Sequence, residues 1–189
     1  MKKPIALVLA MLLLGATAQA AEYQIDTKGA HAFVQFRIKH LGYSWLYGRF
    51  DDFNGSFFYD DKKPEASSVN VNIDVTSLNS NHAERDKHLR GADFLNTAKF
   101  PTATFKSTSF EPLENGKARL NGELTLHGIT KPITIQVTNI GGGKDPWGGY
   151  RQGFSGTTEF ELKDFGIDYN LGPASQTVEM ILDIEGIRI

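Results

Sequence analysis

The chain of 189 residues contains no cysteine. That absence excludes disulfides, thiol nucleophiles and Cys-ligated metals, so the folded protein must be held by its own core. An excess of positive charge is missing too: twenty Lys and Arg stand against twenty-two Asp and Glu, a formal net charge of −2. Nucleic acids and anionic membrane surfaces call for concentrated Lys and Arg, so neither is expected as the main partner. No G-x-S-x-G, H-E-x-x-H or G-K-[ST] sequence occurs, which removes the common local signatures of a hydrolase, a zinc protease and a phosphate-binding loop. No cofactor is expected. Nor is there an apolar run of the roughly 20 residues that a spanning helix needs, so stable membrane insertion is not expected either.

What is present begins with an export pattern. Met1-Lys2-Lys3 is basic, Ile5 to Leu14 is apolar, and Ala18-Gln19-Ala20 ends the segment with a small-residue cleavage pattern. Residues 1–20 therefore read as a signal peptide and 21–189 as a single domain, with a Gram-negative periplasm as the expected address. Loss of Lys2 and Lys3 would take the net charge from −2 to about −4.

The remainder alternates with period two, again and again. Ala32, Val34, Phe36 and Ile38 share one face, opposite Gln35, Arg37 and Lys39. Val69, Val71, Ile73 and Val75 repeat the pattern, as do Ala118, Leu120, Leu124 and Leu126, then Ile133, Ile135 and Val137. Phe154, Phe160 and Leu162 follow, and Val178, Met180, Leu182 and Ile184 close the series. Strands are also expected at 43–50, 53–59 and 102–110. This is an all-β chain of eight or more half-buried strands, and periodicity leaves barrel and sandwich both open.

One stretch stands apart, "SNHAERDKHLRGADFLNTAKFP" at 80–101. Its spacing predicts a short helix at about 82–90, capped by Asn81 and ended by Gly91 in the left-handed conformation. Glu84 with His88, and Asp86 with Arg90, would make i,i+4 pairs on that helix. Two sharper readings compete with a solvated helix: His82 with Asp86 as metal ligands, and His88 with Glu84 as an acid/base pair. No third ligand and no nucleophile accompany them, so no metal is expected. Elsewhere, Tyr43, Trp45, Tyr47 and Phe50 read either as the entrance to a ligand site or as barrel-wall core. The glycine-rich run 141–149 reads as a flexible hairpin loop, and His127 to Pro132 as a turn with Pro132 opening the next strand.

Several of these segments together resemble the YceI family of periplasmic lipid- or polyisoprenoid-binding domains. The resemblance rests on His31 to Val34, His40 to Gly48, Asn81 to Arg90, Asp93 to Lys99, Leu124 to Pro132, Asp145 to Gly149, Lys163 to Phe165 and Leu171 to Gln176. It spans essentially all of the chain after residue 20, with small departures such as Gly91, where serine is common. The resemblance implies an eight-stranded antiparallel, lipocalin-like β-barrel with an elongated apolar pocket for a polyisoprenoid, a quinone-like lipid or another long-chain amphiphile.

Shared strand face and resemblance together nominate Val34, Phe36, Ile38, Trp45, Phe105, Leu124, Ile135, Phe160 and Leu182 as the ligand-binding wall. The expected activity is that of a carrier and not of an enzyme, with no catalytic residues. The alternatives are an enzyme acting on such a lipid through Arg85, Asp86 and His88 near the barrel mouth, or an interaction module whose barrel is filled by side chains. Pairing with a second copy of the chain is left open.

Overall fold

The computed structural model describes residues 20–189. The expected signal peptide thus lies outside the described residues, apart from Ala20. Eleven strands occur: β1 (Ala21–Ile25), β2 (Ala32–His40), β3 (Ser44–Phe50), β4 (Phe53–Tyr59), β5 (Ser68–Asp74), β6 (Leu78–Asn79), β7 (Thr102–Pro112), β8 (Lys117–Leu126), β9 (Ile129–Lys144), β10 (Tyr150–Glu161) and β11 (Thr177–Arg188). One α-helix, α1 (Ala83–Arg90), lies between β6 and β7. Every pairing is antiparallel, and the ladder runs β1-β4-β5-β7-β8-β9-β10-β11 and back to β1, a closed ring of eight.

The three extra strands are the upper halves of interrupted staves. β2 continues β1 along the same edge of β11, β3 pairs with β2 above β4, and β6 pairs with β3 above β5. Closure leaves no free edge around the ring, which is how a long antiparallel sheet avoids pairing with other chains. The exception is the upper part of β3. Its far edge meets β6 only at Arg49 and Phe50, and Arg85, His88 and Leu89 of α1 with Phe94 and Leu95 line the cavity at that end.

The break between β1 and β2 has a visible cause. Ile25 pairs with Gly186 and Ala32 with Ile184, so six residues, 26–31, stand opposite Glu185 alone. Asp26 holds this bulge: its carboxylate accepts from the Gly29 amide at 2.8 Å, contacts the His31 ring at 2.9 Å and accepts from Arg151 at 2.7 Å. Arg151 also reaches Asp145 at 3.0 Å and Glu185 at 2.5 Å, one guanidinium shared by three carboxylates. Burial alone would raise the Asp26 pKa, yet the hydrogen bonds from His31, Arg151 and Gly29 outweigh it and hold the carboxyl down at about 2.

A smaller bulge in β7 alters which side chains face in. Ser107 pairs with Gly122 and Ser109 with Asn121, so Thr108 is extra and the alternation of β7 changes phase. Phe105 and Phe110, odd and even, therefore both face the barrel interior. The glycine-rich run, in the β9–β10 ladder, also departs from expectation. Gly141, Gly142 and Gly143 lie in β9, paired with β10, and the connection is a tight turn over 145–149 closed by Asp145 accepting from the Trp147 and Gly149 amides. Pro132 is likewise inside β9, opposite Glu123, and the turn residues are His127 and Gly128, both at positive φ.

The helix forms as predicted, one residue shorter, with different chemistry at both ends. His82 caps it, its Nδ1 accepting from the Arg85 amide at 3.3 Å, while Asn81 takes a positive φ before it. Gly91 is extended, with φ −70° and ψ 173°, and its amide closes the last turn on the His88 carbonyl. The expected i,i+4 ion pairs give way to tertiary bonds. Asp86 accepts from the Ser80 amide at 2.8 Å and from the Ser80 hydroxyl, and Arg90 donates to the carbonyls of Leu78 and Thr76. Anchoring a short helix to β6 in this way supplies what eight residues cannot gain from helical hydrogen bonds alone.

Candidate functional site

The barrel interior is not filled by its side chains. A cavity of about 820 Å³ runs along it, walled by the inward positions of all eight staves. Eight of the nine nominated residues line it: Val34, Phe36 and Ile38 from β2, Phe105 from β7, Leu124 from β8, Ile135 from β9, Phe160 from β10 and Leu182 from β11. The reason is the alternation itself, since residues i and i+2 of a strand share a face.

Trp45 is the ninth, and it lies off the cavity. Its neighbour Leu46 faces in, so the pleat turns Trp45 and Tyr47 to the outside, where the Arg37 guanidinium stacks 4.2 Å from the Trp45 ring. Of the aromatic cluster read as entrance or wall, only Phe50 faces the cavity. The phase set by Leu46 carries the information that residue type alone does not.

Sequence reasoning missed other lining residues. Phe110 was hidden by the bulge at Thr108, and Leu171 and Tyr169 lie in a connection without any period. Phe94 and Leu95, from the segment after α1, complete that end of the wall. Tyr59 and Ser67 mark the opposite end, the Ser67 hydroxyl buried with no partner.

The depth of the cavity depends on two aromatic rings lying flat against glycines. A Cβ on Gly48 would stand 2.3 Å from the Phe36 ring, and one on Gly122 2.4 Å from the Phe105 ring. Each ring folds down onto a bare patch of backbone and leaves the lumen clear. No side chain with a methyl group could occupy either position without turning its ring inward.

Electrostatically the site is one-sided. Lys39, His40, Arg85 and His88 line the α1 end, and no carboxylate lines the cavity anywhere among the described residues. The three residues of the enzyme alternative separate here. Asp86 is buried behind the wall on Ser80 and does not line the cavity. Arg85 does line it, yet its Nε and Nη2 donate to the Ser80 hydroxyl at 2.7 Å and carbonyl at 2.5 Å. His88 stands edge-on to Phe94 and Tyr169, with ring centroids 5.0 and 5.5 Å away, and its Nε2 is 3.9 Å from the exposed Asp93. His82, the other metal candidate, is spent on capping α1. Asp26, His31 and Glu185 do converge closely enough to hold an ion, but the Arg151 guanidinium already sits on two of the three.

A closed eight-stranded ring around an apolar cavity, with a capped helix at one end, matches a known family. Residues 23–186 fit the model of the YceI-like domain. The chain belongs to the YceI family. Among YceI relatives, the UPF0312 protein of Ectopseudomonas mendocina is 60% identical over 183 residues, covering 97% of this chain and 96% of that one. A Pseudomonas aeruginosa UPF0312 protein is 59% identical over 187 residues, covering 95% and 97%.

Solved structures agree on the fold. BcnA of Burkholderia cenocepacia superposes with a TM-score of 0.77 at 21% identity, over 85% of this chain and 98% of its own. The Campylobacter jejuni YceI protein gives 0.72 at 28% identity, over 79% and 89%. A polyisoprenoid binding domain from Saccharophagus degradans gives 0.65 at 17% identity, over 88% and 98%. The YceI barrel is thus shared across chains whose sequences have largely diverged.

Proposed function

We propose that this YceI-family protein is a non-catalytic carrier of a long-chain amphiphile, a polyisoprenoid or quinone-like lipid, held in the barrel cavity. The carrying observation is the cavity: about 820 Å³, continuous, and walled by apolar residues of every stave. That volume lies toward the upper end of the range for small-molecule sites, roughly 300–1,000 Å³. A chain gains about 0.8 kcal/mol per buried CH₂ before ordering costs, so a long hydrocarbon binds without strong polar contacts. An unfilled apolar cavity also costs the fold dispersion contacts that a ligand restores. The relative from Saccharophagus degradans, named for binding polyisoprenoid, supports the same ligand class.

A role in chemistry finds less support. Of the side chains that would have to act, Asp86 and Arg85 are bonded to Ser80 and fix α1, and His88 packs edge-on against Phe94 and Tyr169. The periplasmic address rests on the pattern of residues 1–20, and N-terminal sequencing of the exported protein would read Ala21 first. The deciding experiment for the cavity is native purification, lipid extraction and mass spectrometry, followed by titration of the emptied protein with a prenyl alcohol. A copurifying or saturably bound amphiphile is expected. Absence of both overturns the reading.

A further inference from the structure

Three aromatic residues that lie off the cavity share one hairpin. Tyr43 tops the β2–β3 hairpin and is 87% exposed, Tyr47 is 54% exposed on the outer face of β3, and Trp45 lies between them at 36%. Leu41, 57% exposed, sits beside them and also lines the cavity, as do Lys39 and His40. The hairpin is fixed in this position by Ser175, whose hydroxyl accepts from the Leu41 amide and donates to the Lys39 carbonyl at 2.6 Å. One surface therefore runs unbroken from the cavity rim to the outer wall.

We propose that this hairpin and rim dock the protein on the headgroup layer of a phospholipid bilayer. Tyr and Trp, with an apolar body and a polar tip, are the side chains that favour the membrane interface. Cations accompany them: Lys39 Nζ stands 5.5 Å and Arg37 4.2 Å from the Trp45 ring, and Arg85 lines the rim. Glu179 is bonded to Arg37 at 2.6 Å, which leaves Lys39 as the hairpin's cation without an ion pair among the described residues, and the exposed acids of α1 and the segments beside it are Glu84, Asp93 and Asp168. Phosphate groups complement such a surface.

A net charge of −2 for the whole chain makes the attraction local to this hairpin and not a property of the whole surface. At the opposite end the turns carry Asp60, Asp61, Glu65, Glu114 and Asp145 against Lys62, Lys63, Lys117 and Lys144, and the exposed Trp147 stands there on its own hairpin. A second copy of the chain fits the hairpin less well than a bilayer. A two-fold contact through this face would set Arg37 and Lys39 against their own counterparts. No helix among the described residues is long and apolar enough to cross a membrane, so the contact is peripheral.

The two tryptophans make the test internal. Trp147→Phe leaves Trp45 as sole emitter at the hairpin, and Trp45→Phe leaves Trp147 at the far end. With vesicles of phosphatidylcholine and phosphatidylglycerol, Trp45 emission is expected to shift to the blue while Trp147 emission stays put. Tyr43→Ser with Tyr47→Ser should weaken vesicle binding about tenfold, and Lys39→Gln about fivefold, the factor for one cation near an anionic surface. Tyr43 and Tyr47 lie outside the cavity, so the Ser variants should still bind prenyl alcohol in solution. That keeps failure of the docking surface distinguishable from failure of the cavity reading.

An unmoved Trp45 spectrum, binding indifferent to phosphatidylglycerol, or Ser variants that bind vesicles as well as the parent would each overturn the proposal. A blue shift that follows protein concentration without vesicles would overturn it as well, and would make the hairpin a contact between copies.

Discussion

At the scale of single residues, Asp26 carries the clearest quantitative consequence. Its carboxyl is held at about 2, below the ordinary 3.8, because His31, Arg151 and the Gly29 amide all favour the charged form in a buried place. A depressed pKa contributes stability that is complete above about pH 4 and disappears as pH falls through about 2. The size is about 2 kcal/mol. Asp26→Asn should therefore lower stability by that order near neutral pH, and the difference from the parent should vanish below about pH 2 in acid denaturation curves followed by circular dichroism. A gap that persists unchanged into strong acid would contradict it. None of this was visible in the sequence, because Asp26, Asp145, Arg151 and Glu185 are brought together by the ladder and by no local pattern. By contrast, the eight cavity residues were legible one by one, since alternation fixes the face of each. Trp45 lies outside the lumen because the phase of its strand, set by Leu46, and not its aromatic character, decides its face.

At the scale of elements, strand positions agree with the pattern while strand interruptions do not. β1 was not among the expected strands and β3 and β4 read as separate ones; that β1 with β2, and β3 with β4, form single staves follows only from their partners, β11 on one side and each other on the second. The helix and its end at Gly91 were legible from charge and spacing, whereas the His82 cap was not, and the expected Asp86–Arg90 pair is lost because Ser80 and β6 outcompete local pairing for both. Element packing also yields a prediction about Gly48. Gly48→Ala should tip the Phe36 ring into the lumen, at an overpacking cost of about 1–3 kcal/mol. The variant is expected to fold, with affinity for a long prenyl chain reduced about tenfold and affinity for a short one little changed. Equal losses for both lengths in a fluorescence displacement titration would show that the ring does not gate cavity depth.

At the scale of the whole molecule, closure was the part that the residues alone did not give. Period two describes a sandwich and a barrel equally, and the decisive pairing of β1 with β11 joins residues at opposite ends of the described chain. A closed ring with an unfilled centre should be stabilised strongly by its occupant. At a ligand concentration a hundredfold above Kd the gain is about 2.7 kcal/mol, equivalent to a rise in Tm of about 5–10 °C for a chain of this size. Leu182→Trp, which places an indole in the lumen, should abolish most of that rise while leaving the unliganded protein folded. Calorimetry that finds the same ligand-induced rise in parent and variant would place the ligand somewhere other than this cavity.

The upper part of β3, bonded on one side only and flanked by α1, has a consequence in time. A wall sewn by hydrogen bonds on both sides opens only with the whole barrel, whereas this seam separates by swinging a helix held through Ser80, Leu78 and Thr76. The amides of residues 44–48 and of α1 should therefore exchange with deuterium long before those of β8 to β11. Ligand release should follow the same slow breathing: Asp86→Ala, by untying the helix, is expected to shorten the residence time of the bound lipid more than it weakens the barrel.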